Sequence, residues 1–321
     1  GQRPLPDSII TVADILRSKG YKTGMFGKWG LGAPNTNSIP NNKGFDFFYG
    51  YNCQRQAHTF YPTHLWKNKE RHILNNQIVD KGRLSKDLDP NNEESYTRYN
   101  QKDYAPTLIH EEALKFIERN KDESFFLYYA SPIPHLPLQA PKEWVDYYHE
   151  KFGEEKPYTG GSGYYPNQYP KATYAAMISY LDQQVGEIVK KLIESADVVV
   201  ANLPPQTLKR MGIDYETISK YNPGIILTTV SAFGAGGPYS ERVGFDGVGQ
   251  AMSGAAYLTG NDDEPIKAYS PYIDYGTASL TAMGTLAAII ERGKTGKGQI
   301  VEGALFATSL AFMNTHLIEQ S

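Results

Sequence analysis

Cysteine is almost missing from this chain of 321 residues: Cys53 stands alone, which excludes an internal disulfide and most cysteine-rich metal sites. Long apolar runs are missing as well. None approaches the roughly 18 to 20 residues that span a bilayer, so no membrane segment is expected. Neither sign of charge dominates; a net of −3 leaves no electrostatic case for nucleic acid or an anionic membrane as partner. The opening Gly1-Gln2-Arg3-Pro4 lacks the features of a signal peptide and reads as interior sequence. A hydrophobic fraction of 40% and a charged fraction of 21% are those of an ordinary globular protein.

What is present changes character near Glu194. All three tryptophans (Trp29, Trp66, Trp144) precede that point, whereas 16 of the 30 glycines follow it, so the two sides are treated as separate domains, 1–194 and 195–321. In the first, Ser8 to Gly20 has the spacing of a short helix, with Ile10, Val12, Ile15 and Leu16 on its apolar face and Gly20 as its stop. Tyr21 to Gly27 reads as a strand that delivers Lys28 among glycines. A lysine there either reaches an anion approaching the backbone or simply stands in solvent. A second helix, near Thr107 to Asn120, leads to the apolar run Ser124 to Ala130, a buried-strand candidate. His135 follows it, held between prolines at the strand's carboxyl end, where open α/β sheets place their sites; a packing or surface role is the alternative. Tyr174 to Leu192 is an amphipathic helix with Met177, Leu181 and Val185 on one face.

These segments resemble the sulfatase family. GYKTGMFGKWGLG looks like the family's second signature, and GFDFFYGYNCQRQAHTFYPTHLW, YYASPIPHLPLQAP and YAAMISYLDQQVGEIVKKL are similar to bacterial arylsulfatases in the same order. The resemblance implies an α/β, alkaline-phosphatase-like fragment, a sulfate ester as small-molecule substrate, and contacts to the sulfate from Lys28 and His135. A cation and an imidazole there would offset charge on the oxygens as the S–O bond breaks. Three departures stand out. Gly30 occupies the position where many members have histidine, and the C/S-x-P-S-R nucleophile motif does not occur, Cys53 lying in a different setting. The aspartates and the Asp-Asn-Gly that hold the family's calcium are also missing, so no metal ligands are assigned.

Beyond Glu194 the pattern is strand, helix, strand. Ala196 to Asn202 is β-branched, as in a buried parallel strand; Thr207 to Met211 makes a helical turn ended by Gly212; Asp214 caps a helix from Tyr215 to Tyr221. Ile225 to Val230 is the next buried strand. It runs into a glycine loop, 231–238, that is either a phosphate cradle or a plain turn and has neither G-x-G-x-x-G nor Walker spacing. Thr277 to Arg292 is strongly helical with Gly293 as terminator, Gln299 to Val301 begins a strand, and Ala304 to Ile318 is helical. Asp274 stands just before the long helix, where an N-cap or first-turn role would be the structural explanation.

This portion resembles family III CoA-transferases through ADVVVANLPPQTLKRMGIDY, NPGIILTTVSAFGAGGPYSERVGFDGVGQAMSG and IDYGTASLTAMGTLAAIIERGKTGKGQIVEGAL. The resemblance implies a Rossmann-like fragment acting on an acyl-CoA, with coenzyme A as cofactor. Asp274 matches the catalytic aspartate, Asn202 and Arg210 match CoA contacts, and Asp246 matches an acidic position near the active site. Family members are interlocked homodimers, and the resemblance leaves a homodimer open here. The two likenesses point to different compartments, so localisation stays open. The whole chain then reads as a fusion of two incomplete enzyme segments of low or no activity, whose residual chemistry is CoA transfer through Asp274. Sulfate-ester hydrolysis with supplied missing groups, and CoA binding without turnover, are the alternatives.

Overall fold

Thr11 and Asp14 start the first helix by a reciprocal capping box: the Asp14 amide donates to the Thr11 hydroxyl, and the Thr11 amide to Asp14 Oδ2 at 3.0 Å. Helix α1 is therefore Val12–Ser18, shorter than expected. Gly20, at φ 87°, provides the stop that the sequence predicts. Its expected apolar face is not buried: Ile10, Val12 and Ile15 are exposed, and Ala13 alone among the helix's residues is buried.

The computed structural model describes residues 3–261 and 263–314, and the chain divides into two compact units, Gly1–Lys191 and Leu192–Ser321, both of α/β construction. In the first unit β1 (Lys22–Lys28) lies between β2 (Phe47–Tyr51) and β5 (Phe125–Ala130), parallel to both. Strands β3 (His64–Lys67) and β4 (Glu70–Ile73) extend the sheet antiparallel, giving the order β4-β3-β2-β1-β5. Alternation along β1 and β2 sends Phe26, Tyr49 and Tyr51 to one face, against Ile109, Ala113 and Phe116 of α2 (Ala105–Asn120). Met25 and Phe48 face the other way, into a cluster with Trp29 and Phe45. Helices α3 (Lys142–Phe152) and α4 (Pro170–Ile193) follow.

Two readings of this unit change. The run Phe125–Ala130 is an edge strand, only half-buried, with Tyr128 exposed, because nothing pairs with its outer side among the described residues. Along α4 the buried stripe runs through Thr173, Met177, Gln184 and Ile188, so Val185, assigned to the apolar face, is exposed. Gln184 is accommodated because its Nε2 donates to the Pro106 carbonyl at 3.1 Å and its Oε1 accepts from the Tyr129 hydroxyl.

The second unit is a three-stranded parallel sheet of order β6-β7-β8, with β6 (Val198–Ala201), β7 (Ile226–Ser231) and β8 (Ile300–Ala304). Central β7 is buried as expected. Strand β6 is an edge, and Val200 points outward at 72% exposure, which corrects its reading as a buried strand. Gly212 in the left-handed region ends α5 (Pro205–Met211), and Asp214 caps α6 (Tyr215–Ile218) by accepting from the Thr217 amide. Then come α7 (Asp246–Met252) and α8 (Ala255–Thr259).

Helix α9 (Tyr272–Thr295) starts five residues before the expected Thr277 and passes through Gly293 to a left-handed Gly296. It is long and apolar enough to cross a membrane by length and composition, although polar residues interrupt its apolar ones. Thr277, Thr281 and Ala288 form its buried side. The threonine hydroxyls are satisfied by donating to carbonyls four residues earlier, and Thr285 meets Thr228 of β7 at 2.7 Å. Met283, Leu286 and Ile290 on its other side are exposed. Helix α10 (Leu305–Phe312) closes the described chain; the expected extension to Ile318 lies partly outside the described residues.

Gly27 and Gly50 are partners in register on β1 and β2, at φ 126° and 152°. A Cβ on Gly27 would stand 1.8 Å from the Ala130 carbonyl oxygen, and one on Gly50 would stand 2.0 Å from that of Gly27. Gly27→Ala should therefore lower the stability of the first unit by at least about 2 kcal/mol. All three tryptophans lie in that unit, so urea unfolding followed by tryptophan fluorescence reads it directly. An unchanged midpoint would show that the strands do not approach this closely.

Candidate functional site

In the second unit the cleft lies outside the carboxyl ends of the parallel strands, the usual position in open α/β sheets. A cavity of about 390 Å³ is lined by Asn202 after β6, Ser231 at the end of β7, Arg242 and Phe245 from the loop before α7, and Asp274 and Ala278 of α9. Asp274 is the third residue of α9, whose N-cap position, Pro271, offers no side-chain acceptor. The missing acceptor comes from Asp246. Its buried carboxylate takes the amides of Ile273 at 2.8 Å and Asp274 at 3.3 Å, with Gln250 Nε2 and, at 3.8 Å, Lys267 Nζ on its other oxygen.

This arrangement acts on Asp274. Its carboxyl is raised above the ordinary aspartate range, first by burial and then by the Asp246 charge, while the Asp246 amide and Lys267 pull it down. The result is an exposed carboxylate, fixed at a helix start and more basic than a free one. Because the folded value is raised, this group adds to stability when protonated, and that contribution is lost as pH rises through its folded pKa.

Asn202 and Asp274 are thus brought to one cleft. Arg210 is not: it is exposed on α5 and donates to the Thr207 hydroxyl. Asp246 is close to Asp274, yet it is 4% exposed and occupied by four donors, so it positions the helix and has no free face for a cofactor. Arg242 and Phe245 escaped the sequence reading, because nothing in local spacing distinguishes a loop arginine that faces a cleft.

In the first unit Lys28 ends β1 and His135 follows the end of the adjacent parallel β5, so both leave the sheet on the same side. Beside His135 stands His58. Its ring stacks on that of His135 at 5.7 Å and packs against Tyr164 at 5.4 Å. Burial first, then the charges of Lys81, His135, Lys28 and Arg55, hold the His58 imidazole below its ordinary range. His135 Nδ1 donates to the Leu136 carbonyl at 2.7 Å, which leaves Nε2 to face a ligand. Gly30 has a structural reason: at φ 82°, a Cβ would lie 2.5 Å from the Gln54 side chain. Among the described residues, no three His, Cys, Asp or Glu side chains are grouped to hold a metal. Arg55 and His58 were also missed; their spacing of three residues was the available signal.

The sulfatase family model matches residues 3–200, well over half the chain. This chain belongs to the sulfatase family. A second model, CoA-transferase family III, matches residues 176–321, so the chain carries two segments from different families. A succinyl-CoA–D-citramalate CoA-transferase of Chloroflexus aurantiacus is 36% identical over 133 residues, 41% of this chain and 33% of its own. A succinyl-CoA:glutarate CoA-transferase of Mus musculus is 33% identical over 135 residues, 42% of this chain and 31% of its own. A solved CAIB/BAIF family protein from Brucella suis shares 36% identity over 42% of this chain and 36% of that one, with a TM-score of 0.40. The chain spans about a third of the length of the curated relatives it matches.

Replacing Asp246 by Asn removes the like charge, so the Asp274 carboxyl should titrate at lower pH than in the parent. Carboxyl-carbon NMR titration measures this; an unchanged or higher value would remove Asp246 as a cause.

Proposed function

We propose that the second unit carries CoA-transfer chemistry at Asp274, in a chain that joins two enzyme segments near Glu194. The observation that carries this is the aspartate itself: a carboxylate at a helix start, raised by burial and by Asp246, opening into a cleft with Asn202 and Arg242. In the reaction a carboxylate oxygen of Asp274 attacks the thioester carbonyl, the C–S bond breaks and CoA leaves as thiolate. The thiolate then attacks the Asp274 carbonyl carbon of the mixed anhydride, which releases the donor as its free carboxylate and leaves CoA on Asp274 as a thioester. The acceptor's carboxylate attacks that thioester and expels the thiolate. The thiolate in turn attacks the acceptor's carbonyl carbon in the new anhydride, giving the acceptor's CoA thioester and a free Asp274 carboxylate. Asp246 acts through α9, holding the reacting carboxylate without touching the substrate. The cleft residues fit a CoA thioester: Asn202 offers an amide, and Arg242, stacked over Tyr239 at 4.3 Å, offers a guanidinium to a phosphate or a substrate carboxylate. The relatives' succinyl-CoA donors support a dicarboxylic acyl group.

With succinyl-CoA as donor and glutarate as acceptor, thioester exchange is expected, and Asp274→Ala should reduce it at least about a thousandfold. Chromatography of the CoA esters measures this. Exchange that survives in Asp274→Ala would overturn the assignment.

A second reading attaches to the first unit, where Lys28 and His135 leave the sheet on the same side and His58 stacks on His135, which supports recognition of a sulfate ester. This reading is one of binding, carried by the stacked imidazoles of His58 and His135.

A further inference from the structure

The sequence leaves the glycine loop 231–238 open to two readings, a phosphate cradle or a plain turn, and its hydrogen bonds weigh against the first. Two of its backbone amides are already taken: Gly234 donates to the Ser231 hydroxyl oxygen at 3.0 Å, and Ala235 donates to Glu302 Oε1. Glu302 lies on β8, in register with Thr229 of the neighbouring β7, and its carboxylate reaches the loop from there. The fit is close. Gly234 turns at φ 74°, and a Cβ at that position would stand 2.8 Å from Glu302 Oε1. The loop thus carries its own anion, which an incoming phosphate would have to displace.

From this latch a run of contacts leads to the cleft. The Ala232 carbonyl accepts from the Phe306 amide at 2.9 Å, and the Phe233 ring packs against Phe306 at 6.2 Å and against Tyr239 at 5.5 Å. Tyr239 in turn holds Arg242, with the guanidinium 4.3 Å from its ring centre and its carbonyl accepting the Arg242 amide at 2.9 Å. The returning chain packs on the departing one: a Cβ on Gly244 would stand 2.9 Å from that of Ala232. Ser231, Ala232, Arg242 and Gly244 line the Asp274 cleft, whereas Glu302 does not. The Glu302 side chain is exposed and, among the described residues, makes no other hydrogen bond or ion pair.

We propose that Glu302 is a positioning residue for the Asp274 cleft: its carboxylate fixes the loop whose two ends, Ser231 and Arg242, form one wall of that cleft. The inference rests on reading the cleft as the site of the CoA ester. Asp246 sets one side of it through α9, and Glu302 sets another through the loop. Because Glu302 lines no part of the cleft and touches no part of Asp274, its loss acts on how the ester is held and leaves the reacting carboxylate as it was.

The test uses the full chain and its Glu302→Ala and Glu302→Gln variants. A glutamine oxygen still accepts from Ala235, whereas alanine leaves that amide bare. By NMR of a chain isotope-labelled at alanine, the Ala235 amide should exchange with solvent about tenfold or more faster in Glu302→Ala, as for one lost charge-assisted bond. Glu302→Gln should lie between that variant and the parent. In exchange from succinyl-CoA to glutarate, Glu302→Ala should raise KM for succinyl-CoA about tenfold or more with kcat within about threefold of the parent, and Glu302→Gln should restore most of the loss. Calorimetry with succinyl-CoA should show the same shift in Kd. Equal Ala235 exchange in the parent and Glu302→Ala overturns the latch. A fall in kcat at unchanged KM, the mark of a smaller folded fraction, overturns the positioning role and leaves the reading of the cleft intact. Tighter binding of succinyl-CoA to Glu302→Ala also overturns it, since the freed amides would then be a phosphate cradle that Glu302 blocks. A parent chain that neither binds nor exchanges succinyl-CoA overturns the reading of the cleft and the positioning role together.

Discussion

The second unit depends on one buried carboxylate. Helix α9 begins at Pro271 and Tyr272 with no side chain of its own to take its first amides, and unpaired amides at a buried helix start are expensive. Asp246 resolves this from the first position of α7, accepting from Ile273 and Asp274 while Gln250 and Lys267 balance its charge. Gln250 in turn accepts from the Ala268 amide, which ties the approach to α9 into the same set. A structural requirement of a helix thereby places a second carboxylate at a defined point of the cleft and raises its pKa. Asp246 thus fixes the position of Asp274 and, after burial, contributes to its raised pKa.

In the first unit the corresponding constraint is the close approach of three parallel strands at their carboxyl ends. Gly27, Gly50 and Ala130 leave no room for a side chain at the two glycines, and Lys28 and the His135 segment depart from there. The proline-rich segment after β5 is anchored by Gln139, whose amide oxygen accepts from Phe60 while its nitrogen donates to the Tyr99 carbonyl at 2.5 Å. That anchor holds a histidine in the open without packing it, and the His58 ring supplies the missing wall.

Much of this was legible residue by residue. Strand β1, helix α2, central β7, the Gly212 stop and the Asp214 cap all follow from local rules that tertiary contacts did not override. Burial was the weaker inference. The runs 124–130 and 196–202 look like interior strands by composition, yet both lie on sheet edges, because sheet order is decided by partners that local sequence does not specify. The early start of α9 was hidden for a related reason: its cap is supplied from a distant point in the sequence, by Asp246 for the amides of Ile273 and Asp274, and no local signal marks it. Asp274, Lys28 and His135 were found from motif resemblance, whereas Arg55, His58, Lys81 and Arg242 meet their neighbours only after folding. Arg210 shows the converse. A matching motif position marks it, yet it lies on the exposed face of α5, outside the residues that line the Asp274 cleft.

Covalent capture is the most direct measurement of the central claim that Asp274 is the reacting group of the second unit. The full chain would be incubated with succinyl-CoA, quenched with hydroxylamine and digested, and the peptide containing Asp274 would be analysed by mass spectrometry. The account predicts a hydroxamate on Asp274 that depends on the CoA ester and is reduced in Asp246→Ala, where the helix start loses its acceptor. An unmodified Asp274 with a hydroxamate on another carboxylate, or no modification at all, would contradict it.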